Sequence, residues 1–292
     1  YEDPRQRQLF KNIVCLGALA VLLKIDFKII ENLIKEDFEK KPKLIPPNIK
    51  ALQLGRDYAL ENLDRDLKIS LKKIRTTKKK ILIQGNEAAG LGCVYGGATV
   101  AGWYPITPST SLVEAFQKYV NIFRVNDSGE VNAGIVQAED EMASVGMAIG
   151  ANWNGARAFT ATSGPGISLM SEFLGLAYFA EIPLVLFNIQ RGGPSTGMPT
   201  RTQQSDILAC AYASHGDTKH VLLFPSDPKE CFEMAAQSFD LAEILQTPII
   251  IIVSSAPPKA NKNRAIAGKN LEIALPNVPI NILHPTIVDR SL

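Results

Sequence analysis

Cysteine and histidine are scarce in this chain: its 292 residues include four cysteines and three histidines. None of the cysteines belongs to the CxxC pairs that typically begin a zinc or iron–sulfur site. We therefore expect reduced core cysteines of a cytoplasmic protein and no metal site in this chain. So few histidines also disfavour a hydrolase with a catalytic triad. The cysteines are Cys15, Cys93, Cys210 and Cys231.

The sequence also lacks long apolar runs and a strong net charge. The longest apolar stretch near the N-terminus, residues 15–23, is about half as long as a bilayer core demands. It has no signal-peptide flanks, so we interpret it as a buried helix. A net charge of +2 gives no support to a nucleic-acid partner.

The glycine-rich segments have the wrong spacing for common phosphate loops and for a nucleophile elbow. GLGCVYG at 90–96 is GxGxxxG rather than the dinucleotide fingerprint, and no Lys-Ser or Lys-Thr follows the glycines at 85–90. SGPG at 163–166 is not GxSxG. A phosphate group would have to be held by other means.

The N-terminal part is predicted to be helical. Apolar positions at helical spacing in residues 10–40, interrupted at Asp26, predict two helices, with Asp26 capping the second. Two prolines at 46–47 are expected to end this unit, and Asn48 to cap a further helix through Leu63.

From residue 81 onward, short β-branched or aromatic runs alternate with helices rich in small residues. The predicted strands are 81–83, 103–106, 133–136, 158–161, 183–189, 221–224 and 248–253. The predicted helices are 87–100, 111–120, 140–152, 168–180 and 228–245. Continuous apolar strands are expected where helices cover both faces of a sheet. The fold class is therefore α/β, a doubly wound and mostly parallel sheet preceded by a small helical segment.

These patterns divide the chain into four parts. We expect a helical segment at 1–63, an exposed basic linker at 64–80, the α/β domain at 81–256, and at 257–292 an extended tail or the start of a missing domain.

Ligands of a parallel sheet gather at the carboxyl ends of its strands. YPITPSTS at 104–111 combines a stiff strand exit with hydroxyl groups at a helix entry, although a simple N-cap cluster would explain it. Three carboxylates then open a helix at 139–141. The helix dipole accounts for two of them, Glu139 and Asp140, whereas Glu141 is placed to point inward.

A third loop, QRGGPSTGMPTR at 190–201, follows the most apolar strand. Arg191 lies there beside flexible backbone, and its guanidinium matches the geometry of a carboxylate or a phosphate. A plain surface loop is the alternative.

Taken in this order, the loops resemble the α subunit of the 2-oxoacid:ferredoxin oxidoreductases, specifically its pyrimidine-binding thiamin diphosphate domain. The resemblance covers about residues 81–254. It rests on GNEA at 85–88, YPITPS at 104–109, the run 141–151, TATSGPG at 160–166 and QRGGPSTGMPTRTQQSD at 190–206. NIVCLGALAVLL near the N-terminus and NIKALQLGRDYA at 48–59 resemble, more weakly, the end of a γ domain that some members carry ahead of the α domain.

The resemblance implies a role for individual residues. Thr107 would lie at the edge of cofactor and substrate, and Glu141 would contact the aminopyrimidine ring. Arg191 would receive the substrate carboxylate, and Thr200 would line the same pocket. A separate β subunit would hold the diphosphate and its Mg²⁺, and iron–sulfur clusters would also belong to partner chains.

The expected reaction is oxidative decarboxylation of 2-oxoacids to acyl-coenzyme A, with electrons passed to ferredoxin. This chain would act only together with its β partner, and it would not contact nucleic acid or membranes. Two alternatives stay open at this point: a thiamin enzyme of transketolase or decarboxylase type, and a noncatalytic assembly subunit in which the sheet is only an interface.

Overall fold

The computed structural model describes residues 4–64, 67, 71, 81, 83–194, 198, 201 and 203–254. Contacts divide the chain into two compact units, one within residues 1–76 and the other within residues 77–292. Three predicted features lie outside the described residues: the tail at 257–292, most of the linker at 64–80, and Thr200.

The N-terminal unit consists of α1 (Pro4–Leu22), α2 (Phe27–Asp37), a short 3-10 helix (Pro42–Leu44) and α3 (Ile45–Asn62). Two glycines let α1 and α3 approach closely. A Cβ on Gly17 would overlap the carbonyl oxygen of Leu52, and a Cβ on Gly55 would overlap that of Val14. Among its described residues, those that are buried and apolar are Ala20, Ile30, Ile34, Ala51, Leu52 and Ala59.

Three details of this unit differ from the sequence predictions. The prolines at 46–47 begin α3 instead of ending a unit, because the first turn of a helix does not need their missing N–H groups. Asn48 is therefore not a cap, and its Nδ2 donates to Leu44 O at 2.8 Å. The segment 15–23 is helical, but Cys15 and Leu19 are exposed. The predicted cap is confirmed, since Asp26 accepts from Lys28 N at 3.0 Å.

The second unit contains a six-stranded sheet in the order β2-β1-β3-β4-β6-β5, and every pair of neighbours is parallel. This confirms the predicted fold class. The strands are β1 (Val100–Trp103), β2 (Gly134–Gln137), β3 (Ala158–Thr162), β4 (Leu184–Gln190), β5 (Val221–Leu223) and β6 (Pro248–Ser254).

Helices cover both faces of the sheet. They are α4 (Gly85–Tyr95), α5 (Thr110–Phe123), α6 (Glu141–Trp153), α7 (Gly164–Phe179), α8 (Ile207–Tyr212) and α9 (Pro228–Leu245). Strand β6 shows why its run is entirely apolar: Ile249, Ile251 and Val253 pack among α4, α5 and α9, whereas Ile250 and Ile252 pack among α6, α7 and α8. Among the described helices, none is both long and apolar enough to cross a membrane.

The predicted bounds of α9 agree with the structure, and other bounds shift for local reasons. Helix α4 ends at Tyr95 rather than at residue 100, because Gly97 has a left-handed backbone (φ +83°). Strand β1 ends before Pro105, which has no N–H for a sheet. Of the strand predicted at 81–83, Ile81 and Ile83 belong to none of the six strands, and Leu82 lies outside the described residues.

Candidate functional site

The sheet has a topological switch point between the carboxyl ends of β1 and β3, where the order in which the chain adds strands reverses. The chain passes from β1 to β2 on one side of β1 and then returns to place β3 on its other side. Crevices at such a switch point are the usual ligand sites of open α/β sheets. The segments 104–109 and 163–166 follow β1 and β3 at this switch point, and Arg191 follows the next strand, β4.

Glu141 is the first residue of α6, and its side chain points inward. It is only 7% exposed, whereas Glu139 is exposed and Asp140 caps the helix by accepting from Ala143 N at 2.6 Å. The sequence predicted this division among the three carboxylates. No residue in the described part of the chain forms a hydrogen bond or ion pair with the Glu141 carboxylate.

Gly166, in the first turn of α7, makes room for Glu141. A Cβ at this position would overlap Thr162 Oγ1 and lie 3.0 Å from Glu141 Cγ. The backbone of Glu141 is fixed as well, because Ser144 Oγ donates to its carbonyl oxygen at 2.8 Å. The result is a buried Glu141 side chain at the start of α6, with Gly166 of α7 packed against it.

Arg191 and Thr107 lie together at the same edge of the sheet. Arg191 is 7% exposed, and its Nη1 donates to Thr107 O at 2.8 Å. Ser163 Oγ donates to the same carbonyl oxygen at 3.3 Å. The segments after β1, β3 and β4 are therefore joined at Thr107, and the side chain of Thr107 is exposed.

The hydroxyls of the 104–111 segment do not form a simple N-cap cluster. Ser109 occupies the N-cap position of α5 without a side-chain capping bond, and its Oγ donates to Ile106 O at 2.8 Å. Asn86, at the start of α4, donates to Pro108 O and to Ser111 Oγ, both at 2.9 Å. The segment that carries Thr107 is thus held by a hydrogen bond between its own residues and by the hydrogen bonds from Asn86 of α4.

Asn86, Ser163 and Asp206 had no role predicted from the sequence. Each lies within a quoted motif, but a motif does not reveal which of its polar side chains bond to each other across the fold. The described residues contain no group of three or more His, Cys, Asp and Glu side chains arranged as metal ligands.

Replacing Gly166 with Ala should disturb the site around Glu141. The added methyl group overlaps Thr162 Oγ1, so the first turn of α7 or the side chains beside it must move. We expect any activity that depends on Glu141 to fall by roughly a hundredfold, the effect of a shift of about 1 Å in the position of a catalytic group. Gly134→Ala is the matched control, since nothing lies within 4 Å of its added methyl group. Equal turnover of the two variants would argue against a role for Gly166.

Comparison with known families identifies the fold unit that contains this site. The family model described as pyruvate flavodoxin/ferredoxin oxidoreductase, thiamine diphosphate-binding, matches residues 91–256, more than half of the chain. The chain belongs to this family. A second model, pyruvate ferredoxin/flavodoxin oxidoreductase, matches residues 4–58. The resemblance inferred from the motifs is confirmed, and membership favours it over a transketolase-type enzyme.

Individual relatives agree with this family. The chain is 34% identical over 285 residues to the 2-oxoglutarate oxidoreductase subunit KorA of Mycobacterium tuberculosis, covering 95% of this chain and 42% of that protein. It is 35% identical over 245 residues to the 2-oxoacid:ferredoxin oxidoreductase 1 subunit alpha of Aeropyrum pernix, covering 84% and 38%. The chain therefore spans less than half the length of these two relatives.

A solved structure shares the fold. This is the 2-oxoglutarate:ferredoxin oxidoreductase of Magnetococcus marinus with 2-oxoglutarate, coenzyme A and succinyl-CoA bound. It is 34% identical with a TM-score of 0.68, and the match covers 87% of this chain and 44% of that one.

Proposed function

We propose that this chain is part of the α subunit of a thiamin diphosphate-dependent 2-oxoacid oxidoreductase. The enzyme would decarboxylate a 2-oxoacid oxidatively, transfer the acyl group to coenzyme A and pass the electrons to ferredoxin. Family membership supports the cofactor class, and the names of the relatives support the substrate class. The observation that carries the proposal is the buried Glu141 carboxylate, which has no partner among the described residues, at the edge of the sheet where Arg191 and Thr107 meet.

The described residues fit one end of the cofactor. A buried carboxylate that has no partner among the described residues suits the aminopyrimidine ring, which can share a proton with it. The diphosphate end has no such match. The sequence contains no phosphate-loop motif, and the described residues contain no cluster of metal ligands. We assign the diphosphate and its Mg²⁺ to a β subunit, as we do the iron–sulfur clusters.

When bound, thiamin diphosphate supplies the carbon nucleophile for the 2-oxo group and a sink for the electrons released with carbon dioxide. Glu141 would hold a proton at the ring nitrogen of the aminopyrimidine. The rigid start of α6 keeps that carboxylate in place without reorganisation during the reaction.

Arg191 would bind the carboxylate of the 2-oxoacid. Its guanidinium is already fixed against Thr107 O at 2.8 Å, so its direction is set before substrate arrives. Thr107, exposed at the edge of the site, and Thr200, outside the described residues, would line the same pocket.

The N-terminal helices, the location of the chain and its substrate are assigned from the sequence and from the relatives. The match at residues 4–58 supports the proposal that the N-terminal helices are the end of a γ domain. We also assign the chain to the cytoplasm, which its four free cysteines support. Cys93, Cys210 and Cys231 are buried as predicted, whereas Cys15 is exposed on α1 and is not a core residue. The names of the relatives include both 2-oxoglutarate and 2-oxoacids in general, so the preferred substrate must be measured.

A reconstitution experiment tests the function. The complex of α and β chains should reduce a viologen dye with a 2-oxoacid and coenzyme A, and only when thiamin diphosphate and Mg²⁺ are present. Calorimetry on this chain alone should detect no binding of the cofactor with magnesium. Pyruvate, 2-oxoglutarate and branched 2-oxoacids would be compared as substrates.

The noncatalytic alternative predicts a stable complex without thiamin-dependent turnover. Submicromolar binding of the cofactor by the isolated chain would contradict the division of the site between two chains.

A further inference from the structure

A buried group of polar side chains connects the end of β4 to α8. Asp206 is 8% exposed, and its two carboxylate oxygens accept from different residues of β4. Asn188 Nδ2 donates to Oδ2 and Gln190 Nε2 donates to Oδ1, both at 2.7 Å. Asn188 and Gln190 are themselves 0% and 1% exposed. These are charge-assisted bonds inside the protein, where they hold their geometry most firmly.

Asp206 forms these bonds in preference to the one expected from its position. It occupies the N-cap of α8, where aspartate normally accepts from the backbone of the first helical turn, yet its side chain forms no capping bond. The carboxylate also orients Asn188, whose Oδ1 is left without a partner within the described residues. Leaving a buried acceptor such as Asn188 Oδ1 unpaired costs free energy. The Asn188 amide nevertheless directs its Nδ2 donor at Asp206, which indicates that Asp206 strongly requires a donor at this position.

The same carboxylate lies against the start of α7. A Cβ on Gly164 would be 2.7 Å from Asp206 Oδ2 and 3.6 Å from the carbonyl oxygen of Arg191. Asp206 therefore contacts Gln190, the residue that precedes Arg191 in the chain. It also lies close to Gly164 of α7, which in turn lies near the Arg191 carbonyl oxygen.

We propose that Asp206 is a positioning residue for Arg191, fixing the direction in which Arg191 leaves β4 toward Thr107 O. The inference rests on the substrate-binding role proposed for Arg191. Gln190 precedes Arg191 directly, so a Gln190 side chain tied to α8 restricts the backbone from which the guanidinium extends. The carboxylate is needed because it accepts from both amides, whereas an amide at this position can accept from only one and must turn its own N–H₂ toward the other.

The test uses the reconstituted complex with the 2-oxoacid that gives the highest turnover in the substrate comparison. Asp206→Asn should raise KM by about tenfold, the effect of a displaced substrate-binding group, with kcat and exchange of the thiazolium C2 proton within about twofold of the parent. In an Arg191→Ala background the same substitution should raise KM no further, because the group through which Asp206 acts is absent. Asp217→Asn, at an exposed aspartate outside the group, is the matched control.

A reciprocal exchange separates positioning from simple loss of stability. In Asp206→Asn combined with Asn188→Asp, the new carboxylate at 188 accepts from the amide at 206, which in turn accepts from Gln190. This double variant should restore KM to within about threefold of the parent, since the hydrogen-bonding pattern is complete again. If Asp206→Asn does not assemble, the double variant should recover both assembly and KM.

The outcomes distinguish this proposal from the one on which it rests. If Arg191→Ala raises KM but Asp206→Asn does not, Asp206 does not act through Arg191. The same conclusion follows if Asp206→Asn raises KM by the same factor in the parent and in the Arg191→Ala background. Failure of the reciprocal exchange to restore KM would overturn the proposal too. If Arg191→Ala itself leaves KM unchanged, the role proposed for Arg191 is wrong and the positioning role falls with it.

Discussion

Replacing Glu141 with Gln should slow turnover of the reconstituted complex by about a hundred- to ten-thousand-fold, the usual contribution of general acid–base catalysis. Glutamine is close to glutamate in size and can still hydrogen-bond to the aminopyrimidine ring, but it cannot exchange a proton with the ring nitrogen. Assembly should therefore stay intact while the chemical step is lost. The direct measurement is the rate at which the thiazolium C2 proton exchanges with solvent in the absence of 2-oxoacid.

Glu139→Gln is the internal control for this experiment. Glu139 is exposed two residues earlier in the chain, so its replacement makes the same chemical change outside the site and should cost little. Asp140 is not suitable as a control, because it caps α6 and its loss would shift Glu141. A Glu141→Gln complex that exchanged the C2 proton at the parent rate would show that α6 is only a packing surface here.

The inward direction of Glu141 could be predicted because helix geometry fixes it. The cap must precede the first turn, Asp140 is suited to that position, and the next residue then faces the same way as Val145, which is fully buried. The strand β6 was equally predictable, since an unbroken apolar run of this length needs helices on both faces.

Other features depend on contacts that a single sequence does not contain. Helix α8 has six residues, too few to show a helical period, and it was missed. Asp206 precedes it, and its bonds to β4 join residues 16 and 18 positions apart. Gly166 had no predicted role, and only the packing of Thr162 and Glu141 around it shows that a side chain would not fit.

Replacing Arg191 with Ala should raise KM for every 2-oxoacid by roughly ten- to a hundredfold, since a hydrogen bond to a charged group contributes about 1.5–3 kcal/mol. Every 2-oxoacid has the carboxylate that Arg191 is proposed to bind, so the factor should be similar for pyruvate and for 2-oxoglutarate. Cofactor affinity and C2 proton exchange should stay nearly unchanged. Thr200→Val should act in the same direction but more weakly.

Two further variants show whether the effect belongs to this guanidinium rather than to positive charge in the segment. Arg191→Lys keeps the charge but not the planar fork, so its KM should fall between those of the parent and the alanine variant. Arg201→Ala removes an exposed arginine from the same segment and should leave KM within about twofold of the parent. Unaltered saturation by 2-oxoacids in Arg191→Ala, or equal effects of the two alanine variants, would assign the substrate carboxylate to another group. In that case the bond from Arg191 to Thr107 O would serve only to join the segments after β4 and β1.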